Sequence, residues 1–504
     1  MTKAKRAKAN AGRWLLPPIV LQVVHYLDEA SDVLACLHAV PSDARDEALD
    51  ALVTLLTHDE FLWPTAEVDV LIKLDEATVI KALPAFGKLL IHPYNPRVGD
   101  YCCRTPLPPT ANVYVTVDNV HDLESKFGSW VPSIVRLVFS AESTPLERRD
   151  LARELAPCTN LQELYINWDD AVDQAQLDDV MAAVTASCPR LAHLRLFSPT
   201  VVNLKCCKSL LPWLSQPNAR VFKLLKIDFA PRAAKVMAHT LLSSTTLQTI
   251  KLFGSSNVVD AFFYPSSPPL PRQLRNFALH FGLTSVDSST IAAKLSQTTI
   301  HSLDLRFSEL RDLLSIMATF PRTVRRLRLS SVTMATFPTL PKLQELDLWA
   351  VTMTSEAVAS LSAQLAASDS LVRLNLAEAT LPNDQLETIL SVLPRVLSSQ
   401  RQACYVHLPV SIETEMLVTA VFFLTRNTQS VWLDMTADDS HDVALRQRLL
   451  AAFRATSRMK LVIACNGAPR LDRNYVAQLA ALHGIEYFGG WFHSPSRTPR
   501  LAPA

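Results

Sequence analysis

Two adjacent cysteine pairs, Cys102–Cys103 and Cys206–Cys207, with His92 upstream of the first, are the side chains in this chain best suited to chemistry. Thiolate and imidazole are zinc ligands, and a thiolate beside a base is a nucleophile. Their spacing fits neither role. Adjacent cysteines do not match a zinc-ligand pattern, Cys-x-x-Cys does not occur, and H-E-x-x-H and G-x-S-x-G are absent. Carboxylates gather at Asp169–Asp170, at Asp178–Asp179 and in the run DMTADDSH from Asp434 to His441. A calcium loop needs a central glycine and a closing glutamate at fixed positions, and none of these runs supplies both. Only 10 glycines occur in 504 residues, with no G-x-G-x-x-G and no P-loop pattern, so no phosphate cradle is expected. The reading is a chain with no catalytic residue, no metal site and no cofactor.

Composition narrows the class further. A formal charge of +1 leaves no general electrostatic footprint for nucleic acid or an anionic membrane. Nine cysteines, an odd number, read as reduced thiols of a cytoplasmic or nuclear protein. The apolar run LVTAVFFL (417–424) is far short of a membrane span. Residues 1–14, with Lys3, Lys5, Arg6 and Lys8, read as a disordered basic terminus and not as a secretory signal; residues 491–504 read as a disordered tail.

What must position any binding residue is a repeat. The pattern apolar-x-x-apolar-x-apolar recurs at roughly 19–31 residue intervals, a solenoid period. It reads SIVRLVF (133–139), LQELYI (161–166), LAHLRL (191–196) and, more loosely, VFKLLKI (221–227). It continues as LQTIKL (247–252), LRNFAL (274–279), IHSLDL (300–305), VRRLRL (324–329), LQELDL (343–348) and LVRLNL (371–376). Helical spacing follows within Asp170–Ser187, Pro231–Ser243 and Ser355–Ala367. The fold class expected is α/β, a leucine-rich-repeat horseshoe solenoid over 111–490 with a parallel inner sheet. ACYVHL (403–408), SVWLDM (430–435), MKLVIAC (459–465) and GIEYFGGW (484–491) are candidate later strands.

Within each triplet the intervening residues alternate outward. The first outward row is Tyr165, Arg195, Lys226, Lys251, Ala278, Asp304, Arg328, Asp347 and Asn375. The second is Asn167, Phe197, Asp228, Phe253, His280, Arg306, Ser330, Trp349 and Ala377. Interface hot spots favour aromatic residues and arginine. Tyr165, Arg195, Phe197, Lys226, Lys251, Phe253, Arg328 and Trp349 are therefore the expected partner-binding residues of the concave face.

Residues 15–65 have a different texture. Pro17–Pro18 suits a helix start, and Ile19, Val20, Val23, Val24 and Leu27 read as one apolar helical face. Ser31 or Asp32 would cap a second helix ending at Pro41. Ser42 would cap a third, with Leu49, Leu52, Val53, Leu55 and Leu56 inside and Trp63–Pro64 closing the unit. The segment 66–110 reads as a connector with candidate first strands at VDVLIKL (68–74) and GKLLIHP (87–93), a short helix over 75–83, and an irregular stretch over 93–110.

LLPPIVLQVVHYLDEASDVLACLHAV resembles an F-box, matching at Leu16, Pro17, Ile19, Val20, Val23, Tyr26, Leu27, Asp32, Val33 and Leu34. An F-box followed by leucine-rich repeats is the order of parts in the F-box/leucine-rich-repeat family. The resemblance implies a three-helix F-box-like unit that binds the Skp-type adaptor of a cullin complex through Pro17, Ile19, Val20, Val23, Tyr26 and Leu27. It implies a substrate receptor of a Skp–cullin–F-box ubiquitin ligase, whose target protein lies on the concave face. The alternatives are a leucine-rich-repeat scaffold with no ligase role, or a regulator such as a GTPase activator acting through Arg195 or Arg328.

Overall fold

The positions of apolar residues decide where each element starts and which side of it turns inward. The computed structural model describes residues 17–41, 45–92, 95–141, 148–282, 288–312, 320–399, 404–407, 431–436, 460–464, 486–488 and 491–493. The basic terminus and most of the expected tail lie outside these residues. The chain forms two compact units, Met1–Ala230 and Pro231–Ala504.

The first unit opens with three helices. Helix α1 (Pro17–Val24) begins at the proline pair, whose fixed φ suits the first turn. Helix α2 (Ala30–Ala39) starts before Ser31, with Glu29 at its N-cap and no side-chain cap bond. Ser31 and Asp32 therefore lie inside the first turn instead of capping it, where Asp32 complements the helix dipole. Helix α3 (Glu47–His58) is capped by Asp46, which accepts from Leu49 N at 3.0 Å. Ser42, the expected cap, lies outside the described residues. Leu49, Leu52, Leu55 and Leu56 are buried, and Val53 is half-buried.

The parallel ladder starts within the segment read as a connector. Strands β1 (Ala66–Glu67), β2 (Lys88–Ile91) and β3 (Asn112–Val117) pair in parallel, β1 with β2 and β2 with β3. VDVLIKL is not a strand. Val68–Leu71 forms one helical turn, because Val68 and Leu71, three residues apart, are both buried. Helix α4 (Glu76–Ala82) follows, capped by Asp75. The proline-rich stretch is not irregular throughout. Pro96 occupies the first turn of helix α5 (Pro96–Arg104), where its missing N–H costs nothing, and Asn95 accepts from Val98 N at 3.0 Å.

Strands β4 (Ile134–Ala141), β5 (Glu163–Trp168), β6 (His193–Leu204) and β7 (Val221–Phe229) continue the parallel order. Between β5 and β6 runs helix α6 (Gln174–Ser187), whose Asp173 and Gln176 form a reciprocal capping box. Its Leu177, Val180, Met181 and Val184 pack inward.

The second unit repeats the scheme. Helix α7 (Pro231–Ser243) precedes β8 (Thr249–Phe253), β9 (Asn276–Phe281), β10 (Ser302–Asp312), β11 (Arg326–Met334) and β12 (Glu345–Met353). Helix α8 (Ser355–Ala366) leads to β13 (Arg373–Thr380). Parallel pairing runs in chain order from β8 to β13 and on through β14 (Cys404–His407), β15 (Val431–Thr436) and β16 (Lys460–Ala464). Strands β17 (Glu486–Phe488) and β18 (Trp491–His493) pair antiparallel.

The triplets are the core of both units. Leu161, Leu164, Ile166, Leu191, Leu194 and Leu196 are at most 1 % exposed, as are Leu343, Leu346, Leu348, Leu371, Leu374 and Leu376. The fold is an α/β leucine-rich-repeat solenoid in which one unit of sequence builds one strand and its return path. Few triplets are followed by asparagine, and glutamines supply some of the polar ties between coils. The Gln174 side chain accepts from Cys206 N at 2.8 Å and donates to Cys206 O at 3.0 Å. Gln364 treats Leu340 the same way, at 2.9 and 2.8 Å. Each amide thereby satisfies both backbone groups of a loop residue. Among the described residues no helix is long and apolar enough to cross a membrane.

Candidate protein-binding surfaces

On α1 and the turn that follows it the apolar residues split between two faces. Val20 and Val24 are buried, whereas Ile19 is 43 %, Val23 44 % and Tyr26 87 % exposed. Each pair is four residues apart, and the two pairs are offset by one residue, which turns them to different sides of the helix. The single apolar face expected from sequence is corrected accordingly. Val20 belongs to the core and is not open to a partner, while Pro17 and Leu27 are half-buried. Two polar contacts set this rotation. Trp63 Nε1 donates to Leu27 O at 2.7 Å, and His25 Nε2 lies 3.0 Å from Ala85 O with its ring stacked on Trp63. Sequence reasoning missed Phe61, which is 87 % exposed two residues before the α1 anchor Trp63.

The strand face of the first unit carries a cationic and aromatic cluster. Register aligns Val138, Tyr165, Arg195 and Lys223 in one row, and Arg136, Glu163, His193 and Val221 in the next. The guanidiniums of Arg136 and Arg195 lie 4.5 and 5.7 Å from the centre of the Tyr165 ring, and Lys223 Nζ lies 5.3 Å from it. Lys226 does not occupy the expected place. It has φ 57°, the left-handed region, and β7 takes Lys223 and Leu225 outward beside Arg195 and Phe197. Lys226 reaches back to Pro199 O at 2.6 Å, with its ammonium 5.6 Å from the Phe197 ring centre. Asp228 is likewise buried and does not face outward.

Glu163 balances part of this charge. His193 Nδ1 lies 3.2 Å from Glu163 Oε1, Arg136 Nε lies 3.8 Å from its Oε2, and Tyr165 Oη donates to Oε2 at 3.3 Å. The hydrogen bond from His193, with the nearby positive charges, holds this carboxyl below the ordinary range, and burial opposes the shift. Burial, with the Glu163 charge, pushes the Tyr165 phenol up. A carboxyl depressed on folding stabilises above its unfolded value and loses that contribution as pH falls through its folded one. The thermal-midpoint gap between the natural chain and Glu163→Gln should therefore be full near neutrality and should close below about pH 4. A gap unchanged down to pH 3 would mean that the ionised carboxylate contributes nothing.

The face of the second unit is paired within itself. Lys251, Ala278, Asp304, Arg328, Asp347 and Asn375 form one row across β8–β13. Arg306 grips Asp304 through Nε at 3.0 Å and Nη2 at 3.1 Å, and its guanidinium covers the Phe253 ring at 4.8 Å. Arg328 bonds Asp347 Oδ2 through Nε and Nη2, both at 2.6 Å, and lies 3.8 Å from Asp304. Asn375 Nδ2 donates to the other Asp347 oxygen at 3.0 Å. Arg328 is thus held by its own sheet, with 43 % of its side chain exposed. Phe253 and Lys251 are half-buried, while Trp349 stands 52 % exposed beside Ser330. A depression of about 160 Å³ lies over this row, lined by Asp304, Arg328 and Asp347 among others. That is below the size of a typical small-molecule site.

Of the cysteines singled out in the sequence, Cys102 is buried and Cys103 exposed. Burial pushes the Cys102, Cys158 and Cys188 thiols up to about 12, disfavouring the thiolate. Cys36, Cys102, Cys103, Cys158, Cys188, Cys206 and Cys207 are in the thiol form. No group of three metal-ligating side chains gathers among the described residues. A cavity of about 630 Å³ beside α5 mixes Asp69, Glu76 and Asp100 with Lys73, Arg97 and Arg104.

No family model matches the chain, and no curated protein matches it. Among solved structures it is similar to the yeast Rad7–Elc1 complex, with a TM-score of 0.35 and 11 % identity, over 93 % of this chain and 95 % of that one. It is also similar to the leucine-rich repeat-containing protein LegL7 from Legionella pneumophila, with a TM-score of 0.25 and 12 % identity, over 69 % and 89 % of the two chains.

Proposed function

We propose that this chain is a non-catalytic adaptor of the cytoplasm or nucleus, the substrate receptor of a ligase of the Skp–cullin–F-box type. In this reading α1 holds the Skp-type adaptor and the outward strand residues hold the target protein. The observation that carries it is the exposed stripe of Ile19 and Val23 on α1 and Tyr26 in the turn after it, beside a face locked into the core by Val20 and Val24. An apolar stripe fixed by buried anchors is rigid before binding, so little ordering opposes association. Target lysines held near a ubiquitin-charged enzyme would react through proximity, with no chemical group supplied by this chain.

The test is capture of a Skp-type adaptor by the full chain, natural and Val23→Asp. Val23 is 44 % exposed and outside the core, so the variant should fold, while a carboxylate within an apolar contact should weaken capture by about tenfold or more. Absence of capture by the natural chain, or equal capture by both, would leave an interaction scaffold without a ligase role. The GTPase-activator reading is disfavoured at Arg328, whose guanidinium is engaged by Asp347 and Asp304.

A further inference from the structure

We infer that the partner segment held by the first unit is acidic, and that Arg136, Arg195 and Lys223 around Tyr165 form its receptor. The inference rests on the reading of these strands as a target-binding surface, and it adds the chemistry of the target. Arg136 and Lys223 enter here from the geometry; neither stood out in the sequence.

Arg195, set in a cluster of like charge, is the observation that matters most. The outward rows of β4–β7 place three permanent cations against one ring, and the carboxylate in those rows, Glu163, is already engaged by His193, Arg136 and Tyr165. Arg195 makes no ion pair among the described residues, and its Nε is shielded from solvent without a hydrogen-bond partner. The Tyr165 ring offsets part of the repulsion through its quadrupole, but it cannot neutralise the charge of Arg195. A folded protein that gathers like charges here gains most when an anion arrives, and arginine presents a planar fork matched to a carboxylate. The second unit differs in kind: its Arg306 and Arg328 are already bound by Asp304 and Asp347. Nucleic acid is the weaker fit, since it calls for a broad basic surface and this chain carries a net +1.

The experiment uses the full chain and a fluorescein-labelled decapeptide alternating glutamate with alanine, read by anisotropy. Lysine–alanine and glutamine–alanine decapeptides and a single-stranded oligonucleotide serve as controls. The acidic peptide should bind, the two peptide controls should not, and affinity should fall roughly tenfold between low salt and near-physiological salt. Arg195→Glu should weaken it by about tenfold or more, and Arg195→Lys should retain part of the binding because the charge stays while the fork is lost. Equal binding of acidic and neutral peptides, an unaffected Arg195→Glu variant, or preference for the oligonucleotide would each overturn the inference. Adaptor capture is measured on the same preparation. Loss of the acidic preference with capture intact sinks only this inference, and the reverse result sinks only the ligase reading.

Discussion

Replacing Trp130 by alanine should cost about 3–5 kcal/mol of stability, the range for removing a large aromatic side chain from a packed core. Trp130 has no exposed surface, and its ring meets Tyr101 edge-on at 6.1 Å. Its Nε1 donates to Thr105 O at 2.7 Å, so the truncation also strips a buried carbonyl of its donor. Trp130 thereby fastens the end of α5 to the coil that precedes β4. The side chain can turn inward because the 3-10 turn Gly128–Ser133 begins at a glycine with φ 52°. A side chain at Gly128 would be strained there, and its Cβ would lie 3.1 Å from Cys103 Cα. Trp130→Phe should cost less, about 1–3 kcal/mol, since most of the packing stays and the hydrogen bond goes. Urea unfolding gives the magnitude, and hydrogen exchange should show lost protection over 96–133 without change over 345–353. A loss below about 1 kcal/mol for the alanine variant would mean that the site collapses and heals.

What could be read in the sequence follows from how many answers each pattern allows. LQELYI and LQELDL admit one register, and their aliphatic residues are buried as spacing demands. VFKLLKI admits two. Its many apolar positions let Lys226 pass for an outward residue, and only the left-handed backbone at Lys226 settles the matter in favour of Lys223. The α1 residues pose the same problem in helical form. Two apolar pairs four residues apart give two possible inward faces, and the choice is made by Trp63 and His25, contacts that span 36 and 60 residues. Proline density hid α5, because proline breaks a helix interior and begins a helix equally well.

Arg328 marks the limit most sharply, and it yields the second prediction. Its type and outward position make it look like a partner-binding residue. Its actual partner, Asp347, is 19 residues away and adjacent only because β11 and β12 pair in register. Asp347→Ala should cost about 2–3 kcal/mol, since it removes the nearest anion of the Arg328 guanidinium and an acceptor of the buried Asn375 amide together. The figure falls short of a fully buried pair because the Arg328 side chain remains 43 % exposed. Arg328→Met and Asp347→Leu combined should recover much of the loss, because two apolar side chains need no mutual charge. A double-mutant cycle should give a coupling of about 1–2 kcal/mol, and one indistinguishable from zero would remove the pair from any account of the fold. The functional consequence is separable from the structural one. An arginine acting on a partner in trans must leave Asp347 to do so, at a cost near that coupling. Arg328→Met should therefore lower the thermal midpoint while leaving both adaptor capture and acidic-peptide binding unchanged, and a loss of either would return Arg328 to the binding surface.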